Sequence, residues 1–267
     1  MSATSTGSFL PVNLAGQKVL VTAGGSGIGR VIAEAFLARG AQVWICDIDK
    51  AALQQTRAAL PGINASLVDV TSPEQVASLF AEIRETFGGL DVLVNNAGIA
   101  GPTAKIEDVT PDALAQTLDV NVGSQFYCAT EAVPLMKAAG RGVIINLSSI
   151  AGRLGFSMRS PYSASKWAVI GFTKSLAMEL GEHDICVNAI LPGHVRTERF
   201  NRVAAAKAQA LGITPEEMRQ RMLEPVSLKR NVEVEDIANM ALYLASPFGR
   251  NITGQAISVC GDVQMMR

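Results

Sequence analysis

Short apolar, β-branched runs alternate with helical patterns along the chain. The runs lie at 18–22, 42–46, 65–70, 91–95, 142–147, 185–190 and 255–259. Most are nearly continuous in apolar residues, which is typical of parallel strands covered on both faces. Apolar residues at helical spacing lie between them, at 28–39, 50–59, 73–87, 111–138, 161–180, 201–222 and 235–245. This alternation predicts an α/β fold, a doubly wound parallel sheet of about seven strands with helices on both faces.

Three of the predicted helices have a recognisable start. Ser72, Thr110 and Ser160 each stand directly before a proline. A serine or threonine N-cap followed by proline at the first helical position is a common way to begin a helix. The third of these starts predicts that Tyr162 lies in the first turn of its helix.

The organisation of the chain favours one domain. No internal repeat or linker divides the sequence, so we expect a flexible tail at 1–15 and a single catalytic domain at 16–267. The segment 198–226 is rich in Ala, Arg, Gln, Glu and Met and follows a Pro-Gly turn. We expect this segment to form a helical lid.

Composition narrows the class of protein further. Hydrophobic residues make up 48% of the 267 residues and charged residues 18%, which indicates a packed core. A net charge of −1 without a basic run argues against nucleic-acid binding. No apolar run approaches the roughly 20 residues needed to cross a bilayer. Four dispersed cysteines and two histidines, without a C-x-x-C pair, argue against a metal site and favour free thiols in the cytoplasm.

A glycine-rich loop follows the first predicted strand and precedes a helix. It reads TAGGSGIG over 22–29. Glycines at such a turn let the backbone approach a pyrophosphate, which then lies at the helix N-terminus. The candidate cofactor contacts in this loop are Gly24, Ser26, Gly27, Ile28 and Gly29. An ordinary strand-to-helix turn is the alternative interpretation.

Asp47 ends the second predicted strand, 18 residues after Gly29. A carboxylate there can accept hydrogen bonds from the adenosine ribose hydroxyls and would repel a 2′-phosphate. No Lys or Arg stands at Ser26 or Ile48 to bind such a phosphate. The sequence therefore favours NAD over NADP as the cofactor.

Tyr162 and Lys166 are four residues apart and would share one face of a helix. A phenol must gain roughly 4 kcal/mol of preferential phenolate stabilisation to act as a base near neutral pH. A cation about 4 Å away in a partly buried cleft supplies about that much. The pair can therefore serve as an acid/base device, although the spacing alone also fits a helix-surface contact.

With these features together, the chain resembles the short-chain dehydrogenase/reductase family over 16–263. The motifs that carry the resemblance are Thr22-(x)4-Gly27-Ile28-Gly29, Asp69-Val70, Asn95-Asn96-Ala97-Gly98, Asn121, Ser148-Ser149, Tyr162-(x)3-Lys166 and Pro192-Gly193-His194-Val195-Arg196-Thr197. One departure is Ala23, where the family usually has glycine; Gly24 follows it and is expected to supply the turn. The resemblance implies a single-domain Rossmann-type fold.

The resemblance also implies a role for each matched residue. Tyr162 would be the acid/base, and Lys166 would assist it and hold the nicotinamide ribose. Ser149 would bind the substrate oxygen. Asn121 would hold a water that links Lys166 to solvent. The implied cofactor contacts beyond the glycine loop and Asp47 are Asp69, Val70, Asn95, Ala97, Gly98, Tyr162, Lys166, Pro192, Val195 and Thr197. A homotetramer is implied as well.

These residues predict reversible hydride transfer between a secondary alcohol and NAD. The substrate pocket is expected to include Ser149, Ala100-Gly101, 155–159 and 198–226, with polar candidates Arg159, His194, Arg153 and Arg199. Arg159, one turn before Tyr162, could clamp a carboxylate, so a small hydroxy acid is one substrate class; a polyol or sugar is another. Two alternatives remain: an NADPH-dependent reductase of 3-oxoacyl groups on a carrier protein, and a non-catalytic NAD-binding sensor.

Overall fold

A computed structural model of the protein describes residues 11–266. The described chain forms one seven-stranded parallel sheet in the order β3-β2-β1-β4-β5-β6-β7. Its strands are β1 Lys18–Thr22, β2 Gln42–Asp47, β3 Asn64–Leu67, β4 Val92–Asn95, β5 Gly142–Leu147, β6 Ile185–Pro192 and β7 Ala256–Val259. The predicted α/β class, the parallel pairing and the strand number are confirmed. Most of the predicted tail, 1–10, lies outside the described residues.

Nine α-helices connect the strands within the described residues. They are α1 Gly27–Leu37, α2 Lys50–Ala59, α3 Pro73–Phe87, α4 Pro111–Leu118, α5 Ser124–Ala139, α6 Ser160–Leu180, α7 Glu198–Leu211, α8 Pro215–Leu223 and α9 Val234–Ala245. No helix in the described part of the chain is both long and apolar enough to span a bilayer.

Two hydrophobic layers cover the faces of the sheet. In β1, Val19 and Val21 pack into the layer that includes residues of α1 and α9, whereas Leu20 between them packs into the layer under α3 and α5. Successive strand residues point to opposite faces, and both faces are buried here, which explains the continuous apolar runs in the sequence. The sheet is therefore a rigid central support.

The topology determines where a ligand can bind. β1 pairs with β2 on one side and with β4 on the other, so the chain reverses its winding direction between β1 and β4. In doubly wound sheets, ligands bind outside the carboxyl ends of the strands at this reversal. The glycine loop after β1 and the Asn95-Asn96-Ala97-Gly98 run after β4 both lie at this point.

The prediction of one helix over 201–222 is wrong. The structure has two helices there, because Gly212 takes a left-handed conformation (φ 65°) and ends α7. Thr214 then caps α8 through a capping box with Glu217, with Pro215 in the first turn. The segment 198–226 is helical as expected, and its function as a lid stays a prediction.

Two further helix boundaries differ from the sequence prediction. The helix expected over 111–138 is interrupted by a π-helical turn at Asp119–Gly123, between α4 and α5. α6 begins at Ser160 and has Arg159 as its N-cap, so the prediction that Ser160 is the cap is wrong. The carbonyl of Arg159 accepts the first helical hydrogen bond, from Ser163 N at 2.9 Å. Ser72 and Thr110 cap α3 and α4 through their side chains, as predicted.

Candidate active site

The glycine loop after β1 is closely packed, and two of its glycines have no room for a side chain. A Cβ on Gly29 would lie 2.3 Å from the carbonyl oxygen of Ala23, and one on Gly24 would lie 2.5 Å from Cγ2 of Ile45. Gly27 opens α1 with φ +55°, and no atom lies within 4 Å of its hypothetical Cβ. The loop therefore holds its backbone tightly and leaves the N-terminus of α1 open, as an anion-binding turn requires.

Ala23 occupies a strained position in this loop. Its φ of 49° lies in the left-handed region, where glycine is favoured. The loop is nonetheless held on both sides: Oγ1 of Thr22 accepts hydrogen bonds from the backbone of Asn96 (2.9 Å) and Ala97 (3.0 Å). Nδ2 of Asn96 donates to the carbonyls of Thr22 (2.9 Å) and Ala23 (3.1 Å). The left-handed residue of the turn is Ala23 itself, and Gly24, which was expected to supply the turn, does not have a positive φ.

Asp47 lies at the end of β2, beside the glycine loop. One carboxylate oxygen accepts from Gly25 N and the other from Asp49 N, both at 3.0 Å. These two hydrogen bonds fix the orientation of the carboxylate and leave further lone pairs for the hydroxyl groups of a ligand. A fixed negative charge therefore stands at the place where a dinucleotide carries its adenosine ribose.

Asp69 and Val70 follow β3, at the same edge of the sheet. Oδ1 of Asp69 accepts hydrogen bonds from the backbone (2.9 Å) and the hydroxyl (2.7 Å) of Thr71. Val70 is buried. This turn places both residues beyond the carboxyl end of the strand next to Asp47, and their contact with adenine stays a prediction.

The side chain of Asn95 is turned away from the cleft. It donates from Nδ2 to Oδ1 of Asn146 (3.0 Å), and Nδ2 of Asn146 donates to Oγ1 of Thr173 on α6 (3.0 Å). The following residue, Asn96, lines the cavity instead. The side chain of Asn95 therefore joins β4 to β5 and does not support the expectation that this residue lines the cleft.

Asn121 lies in the π-helical turn and is fully buried. Its Oδ1 accepts from Ile99 N (2.7 Å), and its Nδ2 donates to Ile99 O and to Oγ of Ser165, both at 3.0 Å. A Cβ on Gly98 would lie 3.1 Å from this Oδ1 and 3.4 Å from Nζ of Lys166. Since a π-turn adds a residue to a helix, it aims Asn121 at α6 beside Lys166.

Tyr162 and Lys166 share one face of α6. Nζ of Lys166 lies 5.8 Å from the centroid of the Tyr162 ring and donates to the carbonyl of Leu147 at 2.8 Å. Only 4% of Lys166 is exposed. Burial, reinforced by the positive charge of Arg199, lowers the pKa of Lys166 from 10.5 to about 7. The ammonium group is therefore held at a cost to the fold, which indicates a functional position.

Two serines follow β5 and differ in what they contact. Ser148 donates from Oγ to the carbonyl of Lys166 (2.7 Å), which ties α6 to the strand end. Oγ of Ser149 accepts from Ala151 N (3.2 Å) and lines the same cavity as Tyr162 and Lys166. The Ser149 hydroxyl keeps its own proton available to donate to a ligand oxygen.

One cavity of about 120 Å³ brings nine of the predicted site residues together. It lies at the carboxyl edge of the sheet, and residues of α7 and α8 form part of its wall. The predicted residues on its wall are Ile28, Ser149, Arg159, Tyr162, Lys166, Pro192, His194, Val195 and Thr197. Arg199 also lines it and donates to the carbonyl of Gly98 at 2.7 Å. Arg153 is directed elsewhere, to the Ala256 carbonyl and Ser258 Oγ of β7.

His194 is a buried, neutral part of this wall. Burial and the nearby charge of Lys207 lower the pKa of its imidazole to about 4. Its ring lies 5.5 Å from that of Phe200, between centroids. At neutral pH it therefore offers a hydrogen-bonding group without charge.

Sequence reasoning covered part of this wall only as a segment. Phe200, Val203 and Met222 lie within 198–226, which was expected to line the substrate pocket, and all three stand on the wall. Met266 was missed. Lys207, also within 198–226, is not a wall residue; its Nζ lies 4.2 Å from the centroid of the Phe156 ring. No sequence signal singled out Lys207, because its contact with Phe156 depends on how α7 packs against the loop before α6.

The described residues fit a nicotinamide dinucleotide. Gly24 and Gly29 let the loop pack against Ile45 and the Ala23 carbonyl, where a Cβ would clash, and the loop ends at the open N-terminus of α1. Asp47 offers an acceptor for ribose hydroxyls, and the cavity around Tyr162 and Lys166 begins beside Ile28 of the same loop. A dinucleotide bound along this edge would extend from Asp47 to Tyr162.

Comparison with known proteins assigns the family. A family model described as "Enoyl-(Acyl carrier protein) reductase" matches residues 22–262. The chain is 33% identical over 252 residues to D-beta-hydroxybutyrate dehydrogenase of Rhizobium meliloti (strain 1021), covering 92% of this chain and 97% of the relative. The chain therefore belongs to the short-chain dehydrogenase/reductase family of oxidoreductases, which act on hydroxyl and keto groups.

Two solved structures show the same fold. NAD+-bound xylitol dehydrogenase has a TM-score of 0.90 and 28% identity, over 92% of this chain and 98% of that one. A single-residue variant of actinorhodin polyketide ketoreductase, solved with NADPH, has a TM-score of 0.89 and 32% identity, over 92% of this chain and 97% of that one. The recognised family and the Rossmann-type fold are thus confirmed, whereas these two neighbours differ in the cofactor they hold.

Proposed function

We propose that this protein interconverts a secondary alcohol and a ketone with NAD, using Tyr162 as the acid/base. The observation that carries the proposal is the shared cavity: Tyr162, Lys166 and Ser149 line it together, next to a loop shaped for a pyrophosphate. A bound nicotinamide supplies the hydride acceptor or donor. The chain's own residues supply orientation, proton transfer and charge.

In the oxidative direction, the Tyr162 phenolate accepts the hydroxyl proton of the substrate. Ser149 donates a hydrogen bond to the same substrate oxygen and so fixes its position. Lys166, when protonated, places a positive charge beside the phenol, with Nζ 5.8 Å from the ring centroid. Asn121 holds the loop at Ile99 and the start of α6 through Ser165, whose hydroxyl donates to the carbonyl of Tyr162 at 2.7 Å. In the reductive direction the Tyr162 phenol returns the proton to the oxygen.

The preference for NAD rests on Asp47. Its carboxylate is fixed by two backbone hydrogen bonds, so it cannot turn away from an incoming 2′-phosphate without losing both. The similar structure that holds NAD+ is a xylitol dehydrogenase, and the one with NADPH is a ketoreductase. We propose the dehydrogenase direction with NAD, acting on a polyol, sugar or small hydroxy acid.

A reductase of carrier-bound 3-oxoacyl groups is the second candidate. The match to an enoyl-carrier-protein reductase model and the likeness to a polyketide ketoreductase favour it. Asp47 argues against it, since such a reductase is expected to use NADPH. The non-catalytic sensor is less favoured, because a sensor would not need Tyr162, Lys166 and Ser149 in one cavity.

We also propose that the protein is a homotetramer and that it is cytoplasmic. The homotetramer rests on the family and on exposed apolar side chains along α5 and α6, such as Phe126, Trp167 and Met178. The cytoplasmic location rests on the four cysteines, all of which are free thiols. Light scattering of the purified chain tests the assembly directly.

The test of the function is a panel of polyols, sugars and hydroxy acids, each with NAD and NADP separately. We expect turnover with NAD in the wild type and a loss of about 10²–10⁴-fold in Tyr162→Phe. Tyr243→Phe, on α9, is the matched control and should keep full activity. Near wild-type turnover in Tyr162→Phe would exclude the assignment, and cofactor binding without any turnover would favour the sensor.

A further inference from the structure

Two buried cations lie near the cavity without a negative partner: Arg159 beside Tyr162, and Lys207 beside Phe156. Arg159, the N-cap residue of α6, is 2% exposed, and Lys207 of α7 is also 2% exposed. In the described part of the chain, no carboxylate forms an ion pair with either side chain. Buried charges are normally paired, because removing them from water is costly. Their isolation points to a negative charge that the ligand brings.

The hydrogen bonds of Arg159 leave part of its guanidinium unused. Nη1 donates to Oγ1 of Thr103 (3.0 Å) and Nη2 to the carbonyl of Ala100 (2.5 Å). Nε is buried and has no partner in the structure. Both partners are uncharged, so they orient the guanidinium without neutralising it. Burial lowers the pKa of Arg159, and Arg199 adds to this effect, while negative charge on Tyr162 opposes it.

Lys207 has no hydrogen-bond acceptor among the residues of 11–266. Its ammonium lies 4.2 Å from the centroid of Phe156, and Cζ of Arg159 lies 5.6 Å from the same centroid. Two cations therefore share one aromatic ring, which offers each of them a weak electrostatic contact. Burial and the charge of Arg159 lower the pKa of Lys207 to about 8.

The position of Arg159 relative to Tyr162 limits which chemical groups the ligand can carry. Cζ of Arg159 is 5.3 Å from the centroid of the Tyr162 ring. A negative group held by Arg159 would thus lie within a few bonds of a hydroxyl presented to Tyr162. A planar guanidinium matches a carboxylate, which it can bind through two parallel hydrogen bonds. The rest of the wall, with Phe200, Val203 and Met222, is suited to a short apolar chain.

We propose that the substrate is a small hydroxy acid whose carboxylate is bound by Arg159 and Lys207. This proposal rests on the proposed function and selects among its substrate classes. The carboxylate lies against the Arg159 guanidinium on the cavity wall, with the Lys207 ammonium over the Phe156 ring, and the hydroxyl lies at Tyr162 and Ser149. A polyol or sugar would leave both buried cations without a negative partner.

The experiment compares substrates that differ only in charge. Full-length protein with NAD is assayed against 3-hydroxybutanoate, its methyl ester and 1,3-butanediol, and against 2- and 4-hydroxy acids of similar size. We expect kcat/KM for one of the acids to exceed that of its ester by about 100-fold, as removal of a buried charge partner predicts. Equal or better turnover of the neutral compounds, or a preference for a phosphate ester of the same length, would overturn the proposal.

Substitutions of Arg159 and Lys207 test whether these side chains bind the substrate carboxylate. Lys207→Met removes the ammonium group and keeps most of the side-chain length. Arg159→Lys keeps the positive charge but loses the planar guanidinium that can donate two parallel hydrogen bonds. Each should lower the acid-to-ester ratio of kcat/KM by at least about 30-fold, mainly through KM. Lys137→Met is the matched control: Lys137 is exposed near the end of α5, just before the amino end of β5, and its loss should leave the ratio unchanged. An unchanged ratio in both site variants would contradict the assignment.

A binding measurement separates this proposal from the proposed function. Titration calorimetry with butanoate and with butanamide, in the presence of NAD, requires no turnover. Tighter binding of butanoate that is lost in Lys207→Met supports the carboxylate site even if no alcohol in the panel reacts. Turnover of neutral alcohols with equal binding of the two compounds would refute the carboxylate site and leave the oxidoreductase function intact.

Discussion

Replacing Lys166 with methionine should abolish catalysis and, near neutral pH, make the free protein more stable. The ammonium group is 4% exposed, and its pKa falls from 10.5 to about 7 because of burial first and Arg199 second. Such a lowering corresponds to about 5 kcal/mol at most of unfavourable free energy when the group is protonated. The lost hydrogen bond to the Leu147 carbonyl offsets about 1–3 kcal/mol of the gain.

The pH dependence gives the sharper measurement, because the hydrogen-bond loss is the same at every pH. Between the folded pKa of about 7 and the ordinary value of 10.5, the unfolded chain binds more protons at Lys166 than the folded chain does. Stability of the wild type therefore rises with pH across this window relative to Lys166→Met. The linkage relation gives about 2 kcal/mol between about pH 7 and about pH 9, which is about 5 °C in Tm for a chain of this size.

Urea unfolding and thermal scans of both proteins, without cofactor, measure this difference. The stability advantage of Lys166→Met should shrink steadily from about pH 7 to about pH 9. Lys137→Met, which removes an exposed lysine, should show no such trend. A gap between wild type and Lys166→Met that stays constant with pH would refute the argument that burial penalises the ammonium group.

Three further substitutions test the cofactor edge of the sheet. Asp47→Asn should raise the NADP-to-NAD ratio of kcat/KM by about 10-fold or more, because the repelling charge is lost while the acceptor to Gly25 N is kept; an unchanged ratio would remove Asp47 from cofactor selection. Ala23→Gly should stabilise the protein by up to about 1 kcal/mol, since φ 49° is left-handed, and a lower Tm would contradict this. Gly29→Ala should abolish NAD binding in calorimetry, because its Cβ would lie 2.3 Å from the Ala23 carbonyl oxygen; unaltered binding would show that the loop can yield.

The sheet and the catalytic pair could be predicted because their signals are local. A strand buried on both faces leaves a continuous apolar run, and Tyr162 and Lys166 lie one helical turn apart whatever surrounds them. The split of the 201–222 helix was also encoded locally, in Gly212, Thr214 and Pro215. The helix-favouring composition of the whole segment led to the prediction of one helix, although Gly212 is a typical helix end and Thr214 a typical N-cap.

Other features depended on contacts between distant parts of the chain. Whether Asn95 or Asn96 faces the cleft depends on where β4 ends, since successive side chains point to opposite faces. The N-cap of α6 moved to Arg159 because its carbonyl accepts the first helical hydrogen bond. Lys207 reaches Phe156 only through the packing of α7 over the sheet edge, and no spacing in the sequence reports such a contact.

The arrangement of charge around Tyr162 connects stability to function. Lys166, Arg159 and Arg199 approach it from α6 and α7, and Lys207 adds a fourth cation behind Phe156. Burial, and after it repulsion by a neighbouring arginine, lowers the pKa values of Lys166, Arg159 and Lys207, so the free protein holds this charge at a cost. On our proposal, the same positive field binds a carboxylate beside Tyr162. A ligand that brings the missing negative charge should therefore bind tightly and stabilise the fold, whereas a neutral alcohol of equal size should do neither.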